Sequence, residues 1–212
     1  MVTRSYDQFC GIARALDLVG ERWALLVVRD LVLGPKRFTD LKRGLPGIGT
    51  NVLAARLKEL EAAGVIARRT LAPPAASTVY ELTEYGRELE ESLLAFGRWG
   101  ARTLGMRAPD QALRSEWLAV ALKAFFRPEA ARGLRRTVRF RFEDDSFSAL
   151  IERGRLVVEP GADKGADLVL TTDPETLVGF LAGAPVPAAA LAPEGDLELL
   201  DRLPQIFAFA TG

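Results

Sequence analysis

Thr50-Asn51-Val52-Leu53-Ala54-Ala55-Arg56-Leu57-Lys58-Glu59-Leu60-Glu61-Ala62-Ala63-Gly64 is the stretch that decides the fold of the first half of this chain. Leu53, Leu57 and Leu60 recur at i, i+4 and i+7. That spacing predicts a helix over 50–63 with one buried face, leaving Thr50, Asn51, Ala54, Ala55 and Lys58 largely on the other. Gly64 stands where a helix is commonly closed by a left-handed residue. Just upstream, Leu45-Pro46-Gly47-Ile48-Gly49 reads as a turn. Residues 38–44 before it read as a short helix with Thr39 as N-cap and Phe38 and Leu41 facing inward. Further out, Gly34-Pro35 ends a helix expected over 22–33, whose apolar face is Trp23, Leu26, Val27 and Leu31, and another helix is expected over 9–18. Downstream, 65–71 and 78–82 are β-prone and flank Ala72-Pro73-Pro74-Ala75-Ala76-Ser77, which predicts a hairpin with a long loop. Thr83-Glu84-Tyr85-Gly86 then opens a long amphipathic helix carrying Leu89, Leu93, Leu94, Phe96 and Trp99 almost to Leu104. It is expected to pack on the first helix or on a second copy of the chain.

Helix, short turn, helix and hairpin is an arrangement that lets one helix enter the major groove of double-stranded DNA while flanking groups hold phosphates. The charges agree. Residues 1–105 carry 15 Lys/Arg against 12 Asp/Glu, and 106–212 carry 13 against 16, although the whole chain is formally neutral. Lys36, Arg37, Lys42, Arg43, Arg56, Lys58, Arg68 and Arg69 outnumber Asp40, Glu59 and Glu61 between 36 and 69. The small or polar residues near the start of the 50–63 helix make Thr50 and Asn51 the foremost base-reading candidates. Ala54, Arg56 and Lys58 lie further along the same helix. Lys36, Arg37, Thr39, Arg68 and Arg69 complete the candidate DNA-binding set, the cations as phosphate contacts. A purely structural role stays open for Arg56 as an ion-pair former and for Arg68-Arg69 as a solvated strand edge.

With 212 residues, 49% hydrophobic and 26% charged, the chain has the composition of a folded protein with room for two domains. The linker is expected at 105–110, giving domains over 1–105 and 106–212. The apolar stretch 177–192 is broken by Gly183, Pro185 and Pro187, and the start carries Arg4 and Asp7 without an apolar signal segment, so a cytoplasmic protein without membrane association is expected. A single cysteine, Cys10, and no histidine exclude an internal disulfide framework and a cysteine-rich zinc site, and remove the commonest general base. Neither enzymatic activity nor a cofactor is expected. Asp144-Asp145 reads as a solvated turn rather than a paired-acid site.

After the linker the texture changes. Residues 117–126 read as a helix, 137–142 as a half-buried strand, and 147–152 and 156–159 as strands around the tight turn Arg153-Gly154-Arg155. Residues 167–171 add a fourth strand. Asp173-Pro174-Glu175 is a strong helix start, and helices are expected over 174–182, 186–191 and 197–207. The expected fold class is therefore a mainly α winged helix-turn-helix followed by an α+β domain built on one antiparallel sheet.

Several motifs also carry a family resemblance: Cys10, Gly20-Glu21-Arg22-Trp23, Gly34-Pro35-Lys36-Arg37-Phe38-Thr39-Asp40-Leu41, Leu45-Pro46-Gly47-Ile48, Arg56-Leu57-Lys58-Glu59-Leu60-Glu61 and Tyr80-Glu81-Leu82-Thr83-Glu84-Tyr85-Gly86. Residues 9–100 resemble the HxlR family of bacterial winged-helix transcription regulators. The resemblance implies a homodimer formed through the terminal helices of the domain, 50–63 as recognition helix and 68–79 as wing. A dimer in turn implies a near-palindromic DNA site. Two departures stand out. Relatives often carry serine where this chain has Gly49, so Thr50 is expected to take over the helix cap. Some relatives sense oxidants through a cysteine matching Cys10, typically followed by proline, whereas Gly11 follows here. Cys10 is accordingly a possible redox sensor by resemblance and a core-packing residue by default.

The second half, through Gly154-Arg155-Leu156, Ala166-Asp167-Leu168-Val169-Leu170, Phe180-Leu181-Ala182-Gly183 and Gly195-Asp196-Leu197, resembles the sterol carrier protein family. This implies an apolar cavity for a lipid-like effector, with Leu177, Phe180, Leu181, Leu191, Ile206, Phe207 and Phe209 as candidate lining residues, though the same residues also suit an ordinary core. The expected function is a ligand-controlled, sequence-specific transcription regulator. The alternative is a lipid carrier or enzyme accessory protein whose winged helix mediates protein interaction.

Overall fold

The computed structural model describes residues 5–74, 76–161 and 165–209. Arg4 and Ala75, used above for the chain start and the hairpin loop, lie outside the described residues. Two compact units are formed, Met1–Leu93 and Leu94–Gly212, so the division falls ahead of the linker expected at 105–110. It falls inside one helix. Leu89 and Leu93 pack against the core of the first unit, while Arg98 Nη1 donates to the Ala124 carbonyl 2.9 Å away within the second. No helix among the described residues is long and apolar enough to cross a membrane.

The first unit contains α1 (Gly11–Val19), α2 (Ala24–Leu31), α3 (Phe38–Gly44), α4 (Thr50–Ala62), β1 (Ile66–Thr70), β2 (Thr78–Leu82) and the start of α5 (Glu84–Ala101). Its core joins Val27, Val28 and Leu31 of α2 to Leu41, Leu45 and Ile48, to Leu53, Leu57 and Leu60 of α4, and to Val65, Ile66 and Leu82. Burying each α4 leucine contributes about 1.5–3 kcal/mol, which fixes the helix face that remains outside. Helix α4 closes as its sequence predicts: Gly64 has φ +71°, its N–H donates to Glu61 O at 3.0 Å, and Val65 N–H donates to Leu60 O at 3.0 Å.

Three local details differ from the sequence expectation. Helix α2 begins at Ala24 rather than 22 because Trp23 takes a left-handed φ of +80° and Ala24 N–H closes a turn on Glu21 O. The half-buried Trp23 ring lies under the Arg22 guanidinium, 5.3 Å away, and a Cβ on Gly47 would stand 3.9 Å from its Cη2. The N-cap of α3 is Arg37, not Thr39. Asp40 at the third helical position accepts the Arg37 N–H at 3.2 Å and so does the capping in reverse. Thr50 does not cap α4: Gly49 is the N-cap, without a side-chain hydrogen bond.

Close approaches explain two glycines. A Cβ on Gly86 would fall 1.9 Å from Val65 O, and one on Gly44 would fall 2.5 Å from Asp30 Oδ2. Around Gly86, Thr83 Oγ1 donates to Gly64 O at 2.6 Å and accepts the Gly86 N–H at 2.9 Å, tying the start of α5 to the end of α4. Asp30 is buried and ion-paired to Arg29 at 2.7 Å.

The second unit contains α6 (Ser115–Phe125), β3 (Arg135–Arg141), β4 (Ser146–Glu152), β5 (Arg155–Pro160), β6 (Leu168–Thr171), α7 (Pro174–Leu181), α8 (Ala188–Leu191), β7 (Pro193–Gly195) and α9 (Leu197–Ile206). The sheet order is β5-β4-β3-β6-β7. The expected all-antiparallel sheet is corrected here: β6 runs parallel to β3, with Val138 opposite Leu168, and β7 is a fifth strand. The reason is topological. Two hairpin steps leave β5 parallel to β3, and the chain then crosses to the free side of β3 instead of adding a further hairpin beside β5. Val138, Phe140, Phe147, Ala149, Ile151, Leu168 and Leu170 are buried, and the Phe140 and Phe147 rings lie 5.0 Å apart, but the expected alternation breaks in the middle of the sheet, where Arg139 and its neighbour Ser148 are buried as well. Asp173 caps α7, accepting the Glu175 and Thr176 N–H groups at 2.9 Å.

Candidate nucleic-acid interface

Thr50, Asn51, Ala54 and Lys58 are all exposed, and at 3.6 residues per turn they fall within about 100° of arc on α4. Leu53, Leu57 and Leu60 hold the adjoining face in the core. The small side chains come first along the stripe and the cation last, an order that allows close approach of the helix start to base edges.

Arg56 does not join this stripe. It lies on the flank next to Leu60 with a side chain only 16% exposed, paired to Glu59 at 2.6 Å and to Glu21 at 3.7 Å. Of the two roles open for it, the ion-pair former is the one whose geometry is present.

The wing is a two-stranded hairpin, β1 with β2, in register Arg68 to Tyr80 and Arg69 to Val79. Lys36 adds a short third lane: its backbone exchanges hydrogen bonds of 2.9 and 2.8 Å with Tyr80. That exchange places Arg37 alongside the wing, exposed, with its Nε donating to Ser77 Oγ at 3.1 Å at the loop end of β2. Thr39 follows on the exposed side of the first turn of α3. Arg68 and Arg69 are both exposed, but they differ in company. Arg69 meets Glu81 with two parallel bonds of 2.9 Å, and this hydrogen-bonded carboxylate raises its pKa further. Arg68 forms no ion pair among the described residues.

Sequence reasoning missed Ser77 and Glu81. Glu81 acts across the hairpin on Arg69, in a register that the long loop left undetermined, and Ser77 reaches Arg37 ahead of α3, an approach that only the fold creates. It also missed that Lys42 is turned inward: its Nζ donates to the Ile48 carbonyl and braces the turn before α4.

Residues 18–107 match the family described as HxlR-like helix-turn-helix. The HTH-type transcriptional regulator YdeP of Bacillus subtilis (strain 168), itself uncharacterized, is 35% identical over 100 residues, which span 46% of this chain and 78% of YdeP. The chain belongs to the HxlR-like helix-turn-helix family. A second uncharacterized relative in that bacterium, YtcD, is 39% identical over 90 residues, 42% of this chain and 71% of YtcD. Among solved structures, the reduced form of the transcriptional regulator YodB from B. subtilis is similar at 33% identity, covering 46% of this chain and 96% of YodB, with a TM-score of 0.41.

Within this HxlR-like unit Cys10 is exposed at the N-cap of α1 rather than buried on a helix face. The backbone N–H groups of Ala13 and Ile12 face its sulfur and hold the thiol pKa below the usual value. In the second unit the seven candidate lining residues divide by depth. Leu177, Leu181, Leu191, Ile206 and Phe207 are buried in the core, while Phe180 and Phe209 are half-buried. The Phe209 ring lies tilted against Phe125 with centroids 4.8 Å apart, and Phe207 lies tilted against Phe126 at 5.9 Å.

Proposed function

We propose that this protein is a sequence-specific, DNA-binding transcription regulator that acts as a homodimer in the cytoplasm. The observation that carries the reading is the exposed stripe Thr50, Asn51, Ala54 and Lys58 on a helix whose other face is locked in the core, beside a wing bearing Arg68 and Arg69. In this arrangement α4 lies in the major groove with Thr50 and Asn51 reading bases, and Lys36, Arg37, Thr39 and the wing arginines hold the backbone. The regulators YdeP and YtcD support it by relationship. Dimerisation is supported by apolar side chains left in solvent on the single chain: Phe9, Ile12 and Leu16 at helical spacing in and before α1, and Phe96 and Trp99 on α5. A two-fold symmetric dimer reads a near-palindromic site with half-sites about one helical turn, or a multiple, apart.

The domains of the reading are 1–105 for DNA binding and dimerisation and 106–212 for a ligand. Half-buried Phe180 and Phe209, at the margin of an apolar core, support a lipid-like effector held in the second unit and linked to DNA affinity by its differential binding. The lowered thiol pKa of exposed Cys10 supports a redox input as a second, independent one.

The test is selection of binding sites from a random double-stranded DNA pool at near-physiological salt. Enrichment of a two-fold symmetric motif is the expected result. No enrichment, with intact and delipidated protein alike, overturns the reading and leaves the carrier or accessory role in its place.

A further inference from the structure

One end of the five-stranded sheet carries a concentration of charge that α4 and the wing do not account for. The hairpins β3–β4 and β4–β5 turn at opposite ends of the sheet, and their charges segregate. The first turn holds Glu143, Asp144 and Asp145, all exposed. At the other end stand Arg135, which opens β3, and Arg153 and Arg155 on either side of Gly154. The preceding segment returns beside this turn: Pro128 O lies 3.8 Å from where a Cβ on Gly154 would stand. Since the chain runs from there directly into Arg135, Arg127 and Arg132 belong to the same end. All five arginines are exposed.

Among the described residues, a carboxylate meets Arg135 alone of these five arginines. Glu152 is taken by Arg135 at 3.3 Å, and Asp196 and Asp167 by Arg136 at 3.2 and 3.9 Å, leaving exposed Glu129. Arg127, Arg132, Arg153 and Arg155 form no ion pair among the described residues.

The turn itself adds an independent observation. Arg153 and Gly154 have φ of +52° and +72°, the two-residue hairpin geometry whose first position favours Asn, Asp or Gly. An arginine there holds an unfavourable backbone conformation and presents its cation at the tip of the basic end, and strain of this kind collects at functional sites.

We propose that this end of the second unit is a phosphate-binding surface that takes the backbone of duplex DNA flanking the recognised site. The inference rests on the regulator reading above. Arginine forks match phosphate oxygens bidentately. A chain already held on DNA by α4 also meets the flanking backbone at high effective concentration, which favours DNA over an acidic protein.

The experiment uses the full chain on its selected site, once as a minimal duplex and once extended by two helical turns on each side, over a range of salt. The variant combines Arg132→Gln, Arg153→Gly and Arg155→Gln; glycine suits the positive φ at 153, so the turn is kept. On the extended duplex the log–log salt slope is expected to fall by about 0.9 for each phosphate no longer neutralised, roughly 2 to 3 in all. Arg155→Gln alone gives about one such step, and is read if the triple variant melts lower than the wild type. Equal slopes for wild type and folded variant on the extended duplex, or an affinity for polyglutamate that the variant loses in place of DNA affinity, overturn this proposal alone. A wild type that binds neither duplex overturns the regulator reading and this proposal together.

Discussion

Gly86 and Gly97 sit on the same helix and answer the same substitution in opposite directions. A Cβ at 86 meets the Val65 carbonyl at 1.9 Å, and one at 97 meets nothing within 4 Å. Gly86→Ala is therefore expected to cost about 1–3 kcal/mol through forced displacement. Gly97→Ala is expected to stabilise by up to about 1 kcal/mol through helix propensity; urea midpoints decide both. The need for glycine at 86 was not legible, because the carbonyl it avoids belongs to a residue 21 positions earlier whose approach only the folded unit creates. Cys10 shows the same limit. Starting the first helix at 11 instead of 9 moves the thiol from a helix face to an exposed cap. Its alkylation rate should reach half-maximum at a pH below that of free cysteine, about 8.5, because the Ala13 and Ile12 amides stabilise the thiolate. A half-maximum at or above the free value removes that stabilisation from the account.

At the scale of elements, the wing makes its two arginines unequal. Replacing Arg68 and Arg69 together by alanine should flatten the salt dependence of DNA binding by about 0.9 for each phosphate left without its arginine. Arg68→Ala alone should take the larger share, since Arg69 is already held by Glu81. An unchanged slope would remove the wing from the interface. Helix α7 offers a pH test. Burial pushes the Asp173 carboxyl up, but hydrogen bonds from Thr176 and Glu175 outweigh it and the net shift is downward. A depressed carboxyl stabilises above its unfolded pKa, near 3.9, and the contribution is lost as pH falls through the lower folded value. Asp173→Ala should cost about 1 kcal/mol at neutral pH. In denaturation at stepwise lower pH, the gap to wild type should close below about pH 4. The start of α7 at Asp173-Pro174, the Gly64 stop and the Arg153-Gly154 turn were legible because each is decided within a few residues. The parallel pairing of β6 with β3 was not, since it joins strands some thirty residues apart and no local residue choice marks it.

For the whole molecule, exposed apolar surface makes the strongest demand. Phe9, Ile12 and Trp99 are 114%, 73% and 66% exposed on the single chain. Replacing all three by serine should leave a folded monomer by analytical ultracentrifugation and should weaken DNA binding. A variant that remains a dimer would move the interface elsewhere. The presence of two cores was readable from the change of texture along the chain. The point of division was not, because the apolar periodicity of α5 runs through it without interruption. Trp23, lastly, has a use that its odd backbone conformation creates. Its half-buried indole stands over Gly47, in the turn between α3 and α4. With Trp99 and Trp117 changed to phenylalanine, its emission becomes a single-site optical gauge of that joint, so the arrival of DNA could be followed in real time with no dye attached.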